Sequence, residues 1–502
     1  MYSCLMNNSS FWNRIKKHVK LIYLILIIAF LLRFYGIFIY YPYDLHPDEA
    51  SLVRMFMTML VTGDLNPHFF YHPDLLIYLS ALVNYIIVLG NFIPTLALVT
   101  YNESVTMLLT IDKIITVIFS TLTVYYVYKI GKLIWDESAG LLAATVLTFS
   151  IAHIVNSFYL IFDVPVTFFV VLTFYFFINL LKNPEKRSNY LKVGLGIGLA
   201  ISTKYNALLL LPFYLIILIF FLKSVKFSFK NKELGIQTNN VIIKNFLLSL
   251  LITFIVFFAI NPYILLSFDE FRADFFDYNM NQLSGTEGVV YNPNIQLWGY
   301  YLFNSLLPGF SIFGLILLII SIVLIKKDKY AVLFMLWIFL FYFINESFMY
   351  KAPRYILPLF PIACLIMGRV LATNKKLLLL MGGMIIITSI FIAQLYPETR
   401  IQAYDWVIEN YNTSMIYACP YSIPWAGGCT ESLYWVESSS HVYYLISSNV
   451  YDFYFKGTNG QDFEKYHFYK YIIDNGTLIK EFSVLFTFGQ SCNPTVRLYY
   501  VE

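Results

Sequence analysis

The sequence predicts an α-helical polytopic membrane protein with about eleven spans and a small C-terminal α/β domain. Three observations predict it. Of 502 residues, 59% are hydrophobic and only 13% are charged, against about 25% charged in ordinary soluble domains. So few charges cannot cover a globule of this length, and the surplus apolar surface must face lipid. Second, the stretches 21–32, 164–181, 205–222, 246–268, 310–325, 330–344, 355–372 and 377–395 are apolar and nearly free of charge. A helix needs roughly 20 such residues to cross a bilayer, with a lower limit near 17. Third, polar residues return from 397 onward. The alternating stretches 441–446 and 495–501 there read as strands, and about 100 residues suffice for one small domain.

The elements follow in order from the lysines and arginines. Arg14, Lys16, Lys17 and Lys20 precede the first apolar stretch, and no small-residue cleavage site follows it, so it reads as an uncleaved span over 21–41. Further clusters fall at Lys129 and Lys132, at Lys182 to Lys192, at Lys223 to Lys244, at Lys326 to Lys329, and at Lys375 and Lys376. By the positive-inside rule these loops are cytoplasmic. The spans are then 113–131, 139–158, 164–181, a short one at 191–203, 205–222, 245–266, 299–325, 330–345, 355–372 and 377–396. This reading divides the chain into a membrane domain, 1–396, and an extracytoplasmic domain, 397–502. The N-terminus lies in the cytoplasm of a multi-pass cell-membrane protein. The outer loop 42–112 carries interfacial helices. The stretch 75–98 is placed there because a crossing at that point would turn every later lysine-rich loop outward, and Asn84, Gly90, Asn91 and Pro94 weaken it as a span.

Composition narrows the partners. Membrane lipids are implied by the spans, and a net charge of +4 gives no reason to expect nucleic acid. None of the five cysteines has metal-ligand spacing. Cys419 and Cys429 fit either a bridge or two free thiols.

The charges at the outer ends of the spans are candidate chemistry. Pro47 suits the first turn of a helix over 48–62 that ends at Gly63. Asp48 and Glu49 then sit at its positive end, where ionised carboxylates are favoured. They can accept a proton or hold a cation; the plainer reading is a pair of capping acids. Asp163, between Phe162 and Val164, is a second outer acid among apolar helices. Lys204 reads as a lone outer cation, which would either snorkel to headgroups or hold a phosphate. Arg354 and Tyr355 form a similar spot. His72 lies between the helices of the first loop, where a lone histidine is ordinarily structural. Acids suit activation of a hydroxyl nucleophile, and cations suit a phosphate leaving group.

The segments His46-Pro47-Asp48-Glu49-Ala50, Gly63 to Pro73, Phe162-Asp163-Val164-Pro165, Thr203-Lys204-Tyr205 and Arg354-Tyr355-Ile356-Leu357-Pro358 resemble those of the GT-C membrane glycosyltransferases. They are most like the protein-mannosyltransferase-like family 39 group, which includes bacterial aminoarabinose transferases. The similarity covers about residues 1–400 in order and topology, and the Asp48-Glu49 pair is its most specific element. The resemblance implies a GT-C-like bundle that moves a sugar, mannose or another hexose, from a polyprenyl-phosphate carrier to a hydroxyl of a glycan, lipid or protein acceptor, with inversion. It implies Asp48 as general base, with Glu49 and Asp163 beside it in the catalytic site. It places His46, His72, Lys113, Lys204, Arg354 and Tyr355 in substrate binding, with Lys113 where relatives often carry arginine. Branches of the family differ in their use of a divalent cation, and the sequence leaves that open.

The alternative from another class is a transporter or flippase of polyprenyl-linked or amphipathic solutes. Such proteins place charged or broken helices near the midplane, often in two repeated halves. Here the ionisable residues sit at span ends, with Arg33 the exception, and no repeat is evident.

Overall fold

In a computed structural model of the chain, the residues described are 6–41, 45–89, 101–222, 225–230, 233–284, 299–326, 328–348, 351–411, 416–419, 422, 442–448, 463–485 and 493–502. Seven helices among them are long and apolar enough to cross a membrane: Leu21–Tyr40 within α1 (Met6–Tyr40), Thr106–Ile134 within α4 (Tyr101–Ile134), α7 (Asp163–Lys182), α10 (Asn240–Ile260), Leu302–Leu324, Lys329–Ser347 and Lys375–Ala393. A further apolar pair, α5 (Glu137–Thr148) followed by Ile151–Phe158, is bent by 64° and has the form of a broken span or a re-entrant loop. Three more expected spans are helical but shorter: α8 (Arg187–Ile201), Tyr205–Phe221 and Leu359–Thr373.

Local chemistry sets the ends. Asp136 caps α5 by accepting from the Ala139 N–H at 2.8 Å, and Asp328 caps Lys329–Ser347 through the N–H groups of Tyr330 and Ala331; both satisfy orphan donors of a first turn. Small residues let helices close on one another. A Cβ on Gly368 would meet the backbone of Ala139 and Ala143 in α5 at 2.6 and 2.5 Å, and one on Gly131 would meet Gly140 at 2.7 Å. So α5 lies between α4 and Leu359–Thr373 at the centre of the bundle. Trp337, fully buried, is ringed by Phe174, Phe213 and Phe341 at 5.0 to 5.3 Å.

At one end of the bundle the charged groups join loops: Lys132 to Glu137 at 2.9 Å, Arg369 to Asp136 at 3.0 Å, and the Trp135 indole to Asp328 at 2.7 Å. The opposite end carries the candidate residues. There α2 (Pro47–Thr62), α3 (Leu75–Leu89) and the first turns of α4 share a core of their own, with Val53 and Phe56, Leu76 and Ile77, and Leu108 and Leu109 in contact. α3 is 15 residues long and covers about 22 Å; residues 90–98 of the stretch expected at the interface lie outside the described residues.

Several expectations change. The second span does not begin at 113: its helix starts at Tyr101, and the charges near 113 have partners, Asp112 accepting from Asn84 Nδ2 at 2.9 Å and Lys113 pairing with Glu49. The short span 191–203 begins earlier, at Arg187. The segment 223–244 holds a hairpin, β1 (Val225–Lys230) against β2 (Glu233–Thr238). The loop after α10 holds α11 (Tyr263–Leu266) and α12 (Phe268–Ser284).

The C-terminal part forms a four-stranded sheet of order β3-β4-β6-β5: Ile416–Ala418, Val442–Ser447, Val496–Val501 and Thr477–Phe482. β3 and β4 are parallel, and the other pairs are antiparallel. Helix Phe463–Asn475 packs Phe468, Tyr469 and Ile472 against Val442, Tyr444 and Val501. Helix Thr399–Asn410 packs Ala403 and Val407 against Leu445 and Leu498. Both faces are thus covered, and the strand alternation read from sequence divides β4 between two cores. Cys429 lies outside the described residues, so its pairing with Cys419 is not described.

Candidate active site

The site is organised by a five-residue segment, Tyr159 to Asp163, that leads into α7. Every residue in it is buried. The Tyr159 ring lies 5.3 Å from that of His46. The Leu160 N–H donates to Glu49 Oε1 at 2.8 Å. The Phe162 ring meets His72 edge-on at 4.6 Å. Asp163 Oδ1 accepts from Lys204 Nζ at 2.7 Å, and its Oδ2 lies 3.5 Å from Arg354 Nε.

Each partner is delivered by a definite local structure. Pro47 opens α2, and the Glu49 N–H returns to the His46 carbonyl at 3.1 Å, so Glu49 is fixed in the first turn. The helix ends at Gly63, which takes φ +74° while its N–H bonds the Met59 carbonyl at 3.0 Å; glycine is the residue that adopts this closure without strain. Glu49 is fully buried and paired with Lys113 Nζ at 3.3 Å. Lys204 lies between α8 and the turn Tyr205–Leu209, with its ammonium 4.5 Å from the centre of the Tyr355 ring. Arg354 lies over the same ring, at 5.5 Å.

Glu49, Asp163, His46, His72, Lys113, Lys204, Arg354 and Tyr355 are therefore gathered around one segment. Asp48 is in the first turn of α2 beside Glu49, but its side chain lies outside the described residues. One expectation is corrected: Lys204 is not a lone cation, because Asp163 reaches it across the bundle. Asp163 in turn faces two cations, Lys204 and Arg354.

Sequence reasoning missed four features here. Tyr159 and the Leu160 N–H gave no signal, since one is an ordinary aromatic and the other a backbone group. Asp74 is 1% exposed, and neither of its carboxylate oxygens has a hydrogen-bond partner among the described residues; burial pushes its pKa up to about 7. His68 bonds Glu270 through Nδ1 at 2.8 Å and Asp64 through Nε2 at 3.1 Å. These bonds, to Glu270 first and Asp64 second, raise its pKa above the ordinary histidine value.

Among the described residues no group of three or more His, Cys, Asp or Glu side chains is arranged to hold a metal. Among the described donors, Glu49 and Asp163 each already face a cation. What the site offers is a desolvated cationic spot, Lys204 and Arg354, close to an acid-bearing helix start. In a water-poor site such charges act strongly on an anion.

A helical bundle with an acid-bearing α2 at one end and an α/β unit after the last span defines a polytopic membrane protein. Residues 110–239 match the family model described as dolichyl-phosphate-mannose-protein mannosyltransferase. A comparison with curated proteins gives no match. Among solved structures, ArnT from Cupriavidus metallidurans bound to undecaprenyl phosphate has TM-score 0.50 and 14% identity, covering 79% of this chain and 66% of that one. The S. cerevisiae Pmt1-Pmt2 complex bound to the sugar donor has TM-score 0.38 and 20% identity over 51% and 34%. The Archaeoglobus fulgidus oligosaccharyltransferase tethered with an acceptor peptide has TM-score 0.49 and 14% identity over 80% and 58%. This chain thus spans about two thirds of that ArnT's length and less of the other two. The chain is thus similar in fold to that ArnT, and its segment 110–239 matches the mannosyltransferase family model.

Proposed function

We propose that the chain moves a sugar from a polyprenyl-phosphate carrier to a hydroxyl acceptor, at the end of the bundle that faces away from the cytoplasm. The observation that carries this reading is the Tyr159–Asp163 segment: its Leu160 N–H holds Glu49 of the acid-bearing helix, and its Asp163 holds Lys204 and Arg354. A base for the nucleophile and cations for the leaving group are thereby tied to one rigid piece of chain. The family match over 110–239 supports the same chemistry, since mannose on a dolichyl phosphate is the donor that its description prints.

The step follows from these parts. Asp48, kept ionised by the positive end of α2, accepts the proton of the acceptor hydroxyl. The oxygen attacks the anomeric carbon from the face opposite the phosphate, and the bond from that carbon to the phosphate oxygen breaks. The polyprenyl phosphate leaves with the electron pair on its oxygen, and the anomeric configuration inverts. Lys204 and Arg354 stabilise the charge that grows on the phosphate. Asp163 keeps both cations aimed before the carrier arrives, and Tyr355 supports them from below. Glu49, held by Lys113 and the Leu160 N–H, fixes the start of the helix. His46 and His72 shape the walls through Tyr159 and Phe162, and a mannose or other hexose, with a glycan, lipid or protein acceptor, fits this scheme.

Purified chain in detergent, given a panel of polyprenyl-phosphate-linked sugars with hydroxyl acceptors, is expected to release free polyprenyl phosphate with at least one donor. Hydrolysis and transfer both absent across the panel would argue against the reading.

A further inference from the structure

The segment that follows the last span returns to the acid-bearing helix. Arg400 is 2% exposed and Glu398 fully buried. Arg400 donates through Nη1 to the Leu45 carbonyl at 2.8 Å, and through Nε and Nη2 to Glu398 Oε1, each at 2.8 Å. The same Glu398 oxygen accepts the Asn493 N–H at 3.1 Å, and Asn493 Oδ1 accepts the Thr399 N–H at 3.1 Å. Glu398 Oε2 caps Thr399–Asn410 through the Arg400 N–H at 2.8 Å. The guanidinium is thus built into the C-terminal sheet unit on one side and aimed at the Leu45 carbonyl on the other.

That carbonyl stands two residues before Pro47. Proline fixes its own φ, so the direction in which α2 leaves is set largely by the residues just ahead of it. Leu45 is itself buried, and His46, next to it, supplies the carbonyl that closes the first turn onto Glu49. The start of α2 is therefore pinned from two sides: by Lys113 and the Leu160 N–H at Glu49, and by Arg400 at Leu45. A fully desolvated arginine is costly unless its donors are satisfied, and here the planar fork spends one arm on Leu45.

Building on the proposed transfer reaction, we propose that Arg400 is a positioning residue: its bond to the Leu45 carbonyl sets the entry of α2 and the place of the first-turn carboxylates, so that turnover depends on the seating of the C-terminal unit. It touches neither donor nor acceptor.

The test uses the full chain in detergent and the variants Arg400→Met and Arg400→Lys, each also combined with Asp48→Asn. Lysine keeps a charge beside Glu398 but lacks the planar fork, so Arg400→Lys carries the test if Arg400→Met does not fold. In folded, monodisperse protein, kcat is expected to fall roughly 10- to 100-fold, the scale of a displaced reacting group. The carrier KM should stay within about twofold, and within the Asp48→Asn background the further loss should be under about threefold, because the carboxylate that Arg400 positions is already gone. A normal kcat in the Arg400 variants overturns the inference, as does an equal loss in both backgrounds. Failure of the base assignment reads differently, as a normal kcat in Asp48→Asn alone.

Discussion

Lys204 illustrates how one side chain serves two states of the site. Without carrier, its ammonium is neutralised by Asp163 at 2.7 Å and rests on the Tyr355 ring. In the proposed reaction the same ammonium meets the carrier phosphate, with Asp163 holding it in place. Lys204, Asp163 and Arg354 were legible in the sequence because each is a charge set among apolar residues. Their pairing was not, because Lys204 and Asp163 are 41 positions apart and nothing in either local pattern points at the other. Asp74 was passed over for the opposite reason: in Tyr71-His72-Pro73-Asp74 it reads as an ordinary helix-start acid. Its burial gives it a measurable signature. With its pKa raised from 3.8 to about 7, the folded chain keeps the proton after the unfolded chain has lost it. The folded state therefore binds more protons across this window, and stability falls as pH rises from about 4 to about 7. Asp74→Asn has no such dependence. Relative to the unaltered chain, the variant's Tm in detergent is expected to be higher at pH 8 than at pH 5. An equal Tm difference at the two pH values would show that Asp74 is solvated in the folded chain.

At the scale of elements, the apolar stretches located the long helices because lipid imposes both their length and their composition. The same reasoning could not see α12, whose sequence FDEFRADFF is as polar as a loop, nor the hairpin β1–β2, whose lysines read as solvated. α12 matters for the loop before α3. Asn66 Nδ2 donates to Ser267 Oγ at 3.1 Å, the Phe70 N–H to Asp274 at 3.0 Å, and His68 bridges Asp64 and Glu270. With the His68 pKa raised, its contribution to this latch is complete below pH 6.5 and is lost as pH rises through the raised value. Backbone protection of residues 64–70, corrected for intrinsic exchange, should therefore fall between pH 6 and pH 9, and His68→Gln should remove that dependence. Protection that does not change with pH in the unaltered chain would remove His68 as the latch.

At the scale of the whole molecule, the two ends of the bundle separate charge by role. One end carries the loop lysines and arginines joined by pairs such as Arg369–Asp136, and the other carries buried acids and cations that face one another. By the positive-inside rule the first end is expected in the cytoplasm. A cysteine introduced in 226–240 is then expected to resist a membrane-impermeant thiol reagent on intact cells, whereas one at Asn475 or Gly476 should react; labelling of the former alone would invert the topology. Fold class was legible here because hydropathy and charge asymmetry are global properties, while the joining of the C-terminal unit to α2 through Arg400 rests on one guanidinium and one carbonyl and leaves no trace in composition. The central claim is that a carboxylate in the first turn of α2 activates an acceptor while the Lys204–Arg354 spot receives a phosphate. It is tested most directly by release of free polyprenyl phosphate, at saturating carrier and with acceptor, from the unaltered chain and from folded Asp48→Asn. General-base help is worth about 10²- to 10⁴-fold, so the variant is expected to lose roughly that much turnover while its carrier affinity is retained. Near-normal turnover in Asp48→Asn would contradict the claim and pass the role of base to another acid of the site.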